Sequence, residues 1–399
     1  MVRSRDETMN ITILTAGSRG DVQPYVALGL GLQARGHTVR LVTFEGFREF
    51  VESYQLPFAP IRPPAEALET RADWQAWQQV EDRPLRFVVR LRRITHSLRL
   101  ALAEMLTESW TACQGSEAIV SSLTGFGGPH IAEKLKVPHV WALLQPVSRT
   151  RAFPHFMTPA RVSLGPWLNQ LTYQCADQVF WRLFRWPVNR LRERVLDLPP
   201  LRRPGPHSIL GQTRSPVVYG FSPTVVPPPP DWAGHAEVAG YWHLGRPPGW
   251  RPPDDLVDFL QGGPTPIYVG LGAMRVRDHA GAFDQLLEAV ARRQKRAVVL
   301  LDEDDPCRAV LPAWAFGVAS VPYDWLFPQV AAMALLHCAN PGRSEAATSA
   351  RIRPPRPAHR TRPPPADSPA PRQPARSARA ERSARTRARR SRSWHCGPA

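Results

Sequence analysis

Apolar positions near the start of the chain come in short blocks set apart by glycine-rich turns. Residues 10–16 (NITILTA) are apolar or β-branched almost throughout, as in a strand buried on both faces of a parallel sheet. Gly17-Ser18-Arg19-Gly20-Asp21 follows as a loop. Pro24 suits the first turn of a helix, where its missing N–H costs nothing. That helix carries Val26, Leu28, Leu30 and Leu32 and stops near Gly36; residues 38–44 (TVRLVTF) are the next strand. Strand, glycine loop, helix and strand form a βαβ unit, whose crossover makes the sheet parallel.

The pattern recurs. Residues 118–122 and 139–144 read as strands, with Gly125-Phe126-Gly127-Gly128 opening a helix between them. Residues 85–105 read as a basic amphipathic helix carrying Arg86, Arg90, Arg92, Arg93 and Arg99. Residues 176–196 read as helical, with Pro187 kinking the helix or ending its first part. A second α/β pattern begins after residue 253. It has strands at 266–270, 297–301 and 318–322, a helix at 284–293, and a helix or strand starting at 329. The expected organisation is an N-terminal domain over 9–221, a stiff Pro-rich linker over 222–253, a partial second domain over 254–336 and a disordered tail over 337–399.

Composition divides the 399 residues the same way. The net charge of +17 invites a nucleic-acid reading, but residues 351–399 alone hold 14 Arg and 2 acids, with one Ile, one Trp and 10 Pro. The other 350 residues carry a net of only +5, so the charge belongs to a tail with no foldable pattern. No uncharged apolar run reaches the roughly 18–20 residues of a membrane span. Residues 1–8 are charged, which argues against a signal peptide. Five scattered cysteines without a C-x-x-C pair argue against a disulfide framework or a structural zinc and fit a reducing cytoplasm. No Walker A sequence and no dinucleotide fingerprint are present, which disfavours a nucleotide triphosphatase and an NAD enzyme.

The candidate chemistry lies first in the loop at 17–21. Ligands of open parallel sheets bind outside the carboxyl ends of the strands, and glycines let a phosphate or sugar approach backbone N–H groups. Two roles stay open for each charged residue there. Asp21 is a general base or caps the helix near Pro24; Arg19 holds an anion or is solvated. Gly270-Leu271-Gly272 is a second glycine turn at the same place in the second pattern. The acidic run 302–305 reads as a solvated loop. His130 reads as facing solvent or satisfying a helix end, and the arginine stripe at 86–99 either meets an anionic surface or is solvated.

The residues GSRGDVQPYVALGLGLQARGH (17–37) resemble the N-terminal signature of sterol 3-beta-glucosyltransferases and macrolide/glycopeptide-type UDP-glycosyltransferases, which have a family 28-like N-terminal domain. HIAEKLKVPHV (130–140), TRAFPH (150–155), VVYGFSPTVVPPPPDW (217–232), GYWHLGRPPGW (240–250), PIYVGLGAM (266–274) and VPYDWLFPQVAA (321–332) continue the resemblance from about Met9 to Met333. It implies an α/β fold of GT-B type, two Rossmann-like domains with parallel sheets, the second incomplete here. It also implies an inverting hexosyltransferase that uses a nucleotide sugar as co-substrate, with no cofactor and no metal. The acceptor is then a hydroxyl of a lipid, sterol-like or polyketide-like molecule, in the cytoplasm or at the membrane surface. By the resemblance, Asp21 is the catalytic base. An ordinary carboxylate is a weak base for a hydroxyl, so burial or concerted proton transfer has to help. Gly17, Ser18, Arg19 and Gly20 then lie on the donor's diphosphate side. Gly272 and Ala273 line the donor side, and Val321, Tyr323, Asp324 and Trp325 frame the nucleotide base. Ala273 stands where the family often has Ser, and Tyr323 where it usually has His.

After Met333 the chain departs from the family. The family continues with a His- and Gly-rich loop and then an Asp-Gln pair that holds the sugar hydroxyls. This chain has Leu335-Leu336-His337-Cys338-Ala339-Asn340-Pro341-Gly342 and no later Asp-Gln pair. The expectation is a reading-frame shift near residues 333–350, with the Arg/Pro/Ala/Ser tail as GC-rich DNA read out of frame. The expectation is a transferase impaired on its donor side. The competing reading is a non-catalytic chain whose basic tail binds nucleic acid or anionic surfaces. Only Trp394 could stack there, so no specific nucleic-acid partner is expected.

Overall fold

The protein was described from a computed structural model covering residues 8–61, 99–158, 165–202, 215–270, 280–301 and 305–335. The chain divides into two units, Met1–Trp250 and Arg251–Ala399.

The first unit is built on seven parallel strands: β1 (Asn10–Leu14), β2 (Thr38–Phe44), β3 (Phe58–Ile61), β4 (Ala118–Ser121), β5 (His139–Leu143), β6 (Val217–Tyr219) and β7 (Ala236–Val238). Their spatial order is β3-β2-β1-β4-β5-β6-β7. Neighbouring side chains along each central strand enter opposite layers. Ile11, Ile13, Val39, Leu41, Val120 and Ala142 pack with Val22, Tyr25 and Val26 of helix α1 (Arg19–Gln33). Leu14, Val42, Ile119, Trp141 and Leu143 pack on the other face. That face is covered by helix α2 (residues 99–112), α3 (Gly128–Leu135) and α4 (Gly165–Arg194). Both faces are therefore buried, which is why the strands read as near-continuous apolar runs. Gly29 lets α1 approach Leu56 closely, since a Cβ there would lie 2.9 Å from Leu56 Cδ2.

The second unit has four parallel strands, β8 (Ile267–Gly270), β9 (Ala297–Leu300), β10 (Ala315–Val318) and β11 (Ala332–Leu335), in the order β10-β9-β8-β11. Tyr268, Val269, Val298 and Val299 are fully buried in it. Helices α5 (Asp254–Gln261), α6 (Ala280–Arg292) and α7 (Tyr323–Leu326) accompany the sheet.

Several expectations change. Helix α1 starts at Arg19, so Pro24 sits inside it rather than in its first turn. The expected strand at 318–322 lies at 315–318, because Pro322 has no N–H to give to a ladder and caps α7 instead. The segment 222–253, expected to be linker, contributes β7 to the first sheet. Pro187 does not end α4, which continues to Arg194. His130 is not at the surface: it is buried, and its Nδ1 meets Arg192 Nη1 at 3.2 Å. The arginines at 86–93 and the tail at 337–399 lie outside the described residues.

Candidate active site

Strand order locates the site. From β1 the chain winds to one side through β2 and β3, then returns to β4 on the other side of β1. The connections diverge between β1 and β4, and that crevice at the carboxyl ends is where open α/β sheets hold ligands. The two loops that meet there are 15–18, after β1, and 122–127, after β4.

The first loop is fixed by a capping box. Ser18 is the N-cap of α1 and Asp21 its third residue. The Ser18 backbone N–H and the Ser18 hydroxyl both donate to Asp21 Oδ2, each at 2.9 Å. Asp21 N–H donates to Ser18 O at 2.9 Å, and the Thr15 hydroxyl donates to Asp21 O at 2.7 Å. The half-buried Asp21 carboxylate is thus held at the switch point through one oxygen. Gly17 makes room for it with φ +131°. Arg19 lies against neighbouring side chains of its own unit. Its guanidinium lies 4.5 Å from the centre of the Phe50 ring, and its Nε donates to Gln23 Oε1 at 3.2 Å.

The second loop is tied to the first. Thr124 Oγ1 donates to Ala16 O at 2.5 Å and accepts from Ala16 N at 3.1 Å. Ser122 and Thr124 hydroxyls lie 2.8 Å apart, and Ser122 N–H donates to Leu14 O at 2.9 Å. Gly125 has no space for a side chain, since a Cβ would stand 2.5 Å from Leu14 O. A mostly apolar depression lies at these strand ends, lined by Leu14, Ala16, Ile61, Met105, Leu106 and Gly125. One helical turn beyond Asp21, the buried Tyr25 hydroxyl donates to Ala142 O at 2.7 Å. Burial, with the Asp21 carboxylate near it, pushes Tyr25 far above the ordinary phenol range, so it stays a neutral donor. The residues 122–125 and Tyr25 were missed in the sequence. Their signal was the Ser-Ser-Leu-Thr-Gly run directly after a strand, which acquires meaning only once the strand order is known.

In the second unit the winding reverses between β8 and β11. The loops leaving those strands begin at 271 and 336, so Gly272, Ala273 and His337 lie outside the described residues. The segment 321–325 is described. Val321 is buried, while Tyr323 is 41 % exposed at the start of α7. The Tyr323 ring stacks on Phe327 at 4.5 Å, and its hydroxyl accepts from the buried Tyr268 at 3.2 Å. Asp324 is exposed and Trp325 is partly buried. Asp305, from the acidic run, caps the turn that follows it by accepting from Cys307 N–H at 2.9 Å. Among the described residues, no group of three or more His, Cys, Asp or Glu side chains is placed to hold a metal.

Other residues of the sequence resemblance are architectural. The Asp231 carboxylate accepts from Thr150 Oγ1 at 2.8 Å and from Arg151 N–H at 2.9 Å. The Tyr219 hydroxyl accepts from Ser148 N–H at 2.8 Å and donates to Ser148 Oγ at 2.6 Å. The Tyr219 ring stacks on buried Trp232 at 4.7 Å. Together these bonds tie the chain after β5 to β6 and the turn at 230–232.

Residues 11–154 match the model of the glycosyltransferase family 28 N-terminal domain. A sterol 3-beta-glucosyltransferase of Gibberella zeae is 36 % identical over 348 residues, 82 % of this chain and 23 % of that protein. One of Sclerotinia sclerotiorum is 35 % identical over 343 residues, again 82 % of this chain and 23 % of the relative. The chain thus spans under a quarter of the length of these relatives. Among solved structures, the glycotransferase of kitacinnamycin superposes with a TM-score of 0.52 at 12 % identity, over 82 % of this chain and 76 % of that one, and shares the fold. The fold class is α/β of GT-B type, residues 11–154 match the glycosyltransferase family 28 N-terminal domain, and 82 % of the chain is similar to sterol 3-beta-glucosyltransferases.

Proposed function

We propose that the chain is an inverting glycosyltransferase that moves a hexose from a nucleotide sugar of the UDP-glucose type to the hydroxyl of a sterol-like, or otherwise hydrophobic, acceptor. One observation carries the reading: Asp21 is fixed at the switch point of a parallel sheet with both Ser18 hydrogen bonds on Oδ2. Oδ1 stays outside the cap and takes the acceptor proton. As it does so, the hydroxyl oxygen bonds to the anomeric carbon on the face opposite the diphosphate. The sugar–phosphate C–O bond breaks and the nucleoside diphosphate leaves with its electron pair. The sterol glucosyltransferase relatives support a sterol-like acceptor.

The donor's diphosphate is stabilised by backbone amides and helix ends, Gly17, Ser18, Arg19 and Gly20 among them, without a metal. Gly272 and Ala273 line the donor side, and Val321, Tyr323, Asp324 and Trp325 hold the nucleotide base. The exposed Tyr323 ring, backed by Phe327, supports that last role, because a flat base stacks on such a surface. The enzyme works in the cytoplasm, peripherally at the membrane where such acceptors reside. Transfer is weak in the chain as written, because the His/Gly-rich loop and Asp-Gln pair are replaced after Met333.

The test measures glucose transfer from UDP-glucose to cholesterol, and UDP release, for this chain and for a frame-restored version. The restored enzyme is expected to transfer, and Asp21→Asn in it to lose about 10²–10⁴-fold, the usual contribution of a positioned base. Undiminished transfer by Asp21→Asn, or no transfer by either chain from any nucleotide sugar in a panel, would sink the proposal.

A further inference from the structure

The inner face of α4 is polar in its first turns. Asn169, Tyr173 and Asp177 are buried there at intervals of four residues, so they follow one another along one line of the helix. At 1.5 Å per residue that line is about 12 Å long. Each is at most 5 % exposed, and so is His155 of the loop that follows β5. Later turns bury Val188 and Leu191 in the apolar core instead.

Some of these polar atoms bond the loop to the helix. His155 N–H donates to Thr172 Oγ1 at 2.8 Å, and Asn169 Nδ2 donates to Arg151 O at 2.9 Å. The Arg149 guanidinium pairs with Asp177 Oδ2 through Nη2. Five more polar atoms of the same residues are buried without a partner among the described residues: Asn169 Oδ1, the Tyr173 hydroxyl, Asp177 Oδ1, His155 Nε2 and Arg149 Nε. The His155 and Tyr173 rings meet edge to face, 5.2 Å apart. Leaving one buried polar atom unbonded is destabilising, and five in one seam compound that cost.

The chemistry of the five atoms selects what meets them. Met157 N–H donates to His155 Nδ1 at 3.3 Å, which leaves the ring hydrogen on Nε2. Burial lowers His155 to about 4, so the ring is neutral near neutral pH. His155 Nε2–H and Arg149 Nε–H are then donors, Asn169 Oδ1 and Asp177 Oδ1 acceptors, and the Tyr173 hydroxyl either. A bare anion is repelled by the Asp177 carboxylate and a bare cation by the Arg149 guanidinium. A neutral molecule that both donates and accepts suits all five. Positions four residues apart on the helix are about 6 Å apart, roughly two hydrogen-bond lengths, so a molecule with a single heavy atom spans each step.

We propose that the seam between residues 149–157 and the first turns of α4 is a built site for a short file of internal water molecules, about two or three. Each water bonds the loop and the helix at once and so joins them. The strands are parallel, so the loop fastened in this way leaves the sheet at the same edge as the site loops after β1 and β4. The proposal does not depend on the transferase reading.

The test uses the full chain with isotopically labelled histidine, without donor or acceptor. The His155 Nε2–H signal, assigned by its loss in His155→Gln, is expected to cross-relax with water. Relaxation dispersion of the water oxygen is expected to count fewer long-lived waters in Tyr173→Phe than in the parent. That substitution removes one hydroxyl and no bond between described residues. In a hydrated seam it deprives a water of a partner, and the urea midpoint falls. In a dry seam it removes an unbonded group, and the midpoint rises. A rise, equal water counts in parent and variant, or a Nε2–H that cross-relaxes only with carbon-bound protons of the chain would overturn the proposal. The histidine measurement is made on the parent, so it decides even where the variant does not fold.

Discussion

Gly17→Ala tests whether the site loop is held as described. Gly17 has φ +131°, and a Cβ built on it stands 2.5 Å from Asp21 Oδ2 and 2.9 Å from Asp21 Cγ. Two costs follow. The backbone is in a region that side-chain-bearing residues avoid, worth about 1–3 kcal/mol. The overlap is relieved only by turning the Asp21 side chain away, which gives up both bonds from Ser18. Losing such a helix cap costs about 1 kcal/mol. The sum is about 2–4 kcal/mol, a large part of a typical stability of about 5–15 kcal/mol. Urea unfolding followed by far-UV circular dichroism measures it for Gly17→Ala, Asp21→Ala and the double variant. With Asp21 shortened, the contacts with Oδ2 and Cγ are gone, so the glycine substitution should cost about 1 kcal/mol less in that background. A cost below about 1 kcal/mol for Gly17→Ala, or the same cost in both backgrounds, would refute the reasoning.

Asp21→Asn should separate capping from catalysis: its amide oxygen still accepts from Ser18, so the urea midpoint should stay near that of the parent while transfer by the frame-restored enzyme falls. Tyr219→Phe leaves Ser148 without its buried partner and should destabilise by about 1–3 kcal/mol in the same urea assay; a neutral result would contradict the latch at 148 and 219. Burial lowers His155 from its ordinary 6.5 to about 4. Between those values the unfolded chain binds more protons than the folded one. The neutral His155 therefore contributes stability above pH 6.5 that is lost as pH falls towards 4. The fall in urea midpoint from pH 7 to pH 5 should be smaller in His155→Gln than in the parent, and an equal fall in both would exclude this origin.

The parallel architecture was legible because buried strands announce themselves. Residues 10–14, 38–44, 139–143 and 297–300 are strands where apolar, β-branched runs are flanked by turn residues. Boundaries moved where one side chain outweighs the local pattern. Ser18 and Asp21 start α1 ahead of the proline that suits a first turn, and Pro322 stops the expected extension of β10. β7 was illegible because Ala236–Val238 is three residues long at a sheet edge, paired only on one side and embedded in proline-rich sequence. The GSRGD loop was legible as a candidate site; its partner at 122–125 was not. The partnership depends on β4 lying beside β1, a pairing of residues more than a hundred positions apart that no local pattern encodes.

Under the proposed reading, the two roles left open for Asp21 do not compete, because they use different oxygens. Capping occupies Oδ2, and the orientation it imposes is what a base at that place needs. A carboxylate already locked by its own helix loses little further freedom when an acceptor hydroxyl arrives, so its positioning is supplied by folding rather than by substrate binding. The same lock gives Gly17 and Ser18 a structural role beside the acid. Gly17 leaves space for the carboxylate and Ser18 holds it, so both are needed for the fold of the loop before either meets a donor phosphate. A signature of this kind therefore carries more structural information than chemical information. What singles out Asp21 chemically is its place at the divergence of β1 and β4, where a helix cap faces a crevice instead of solvent-exposed surface far from any strand end.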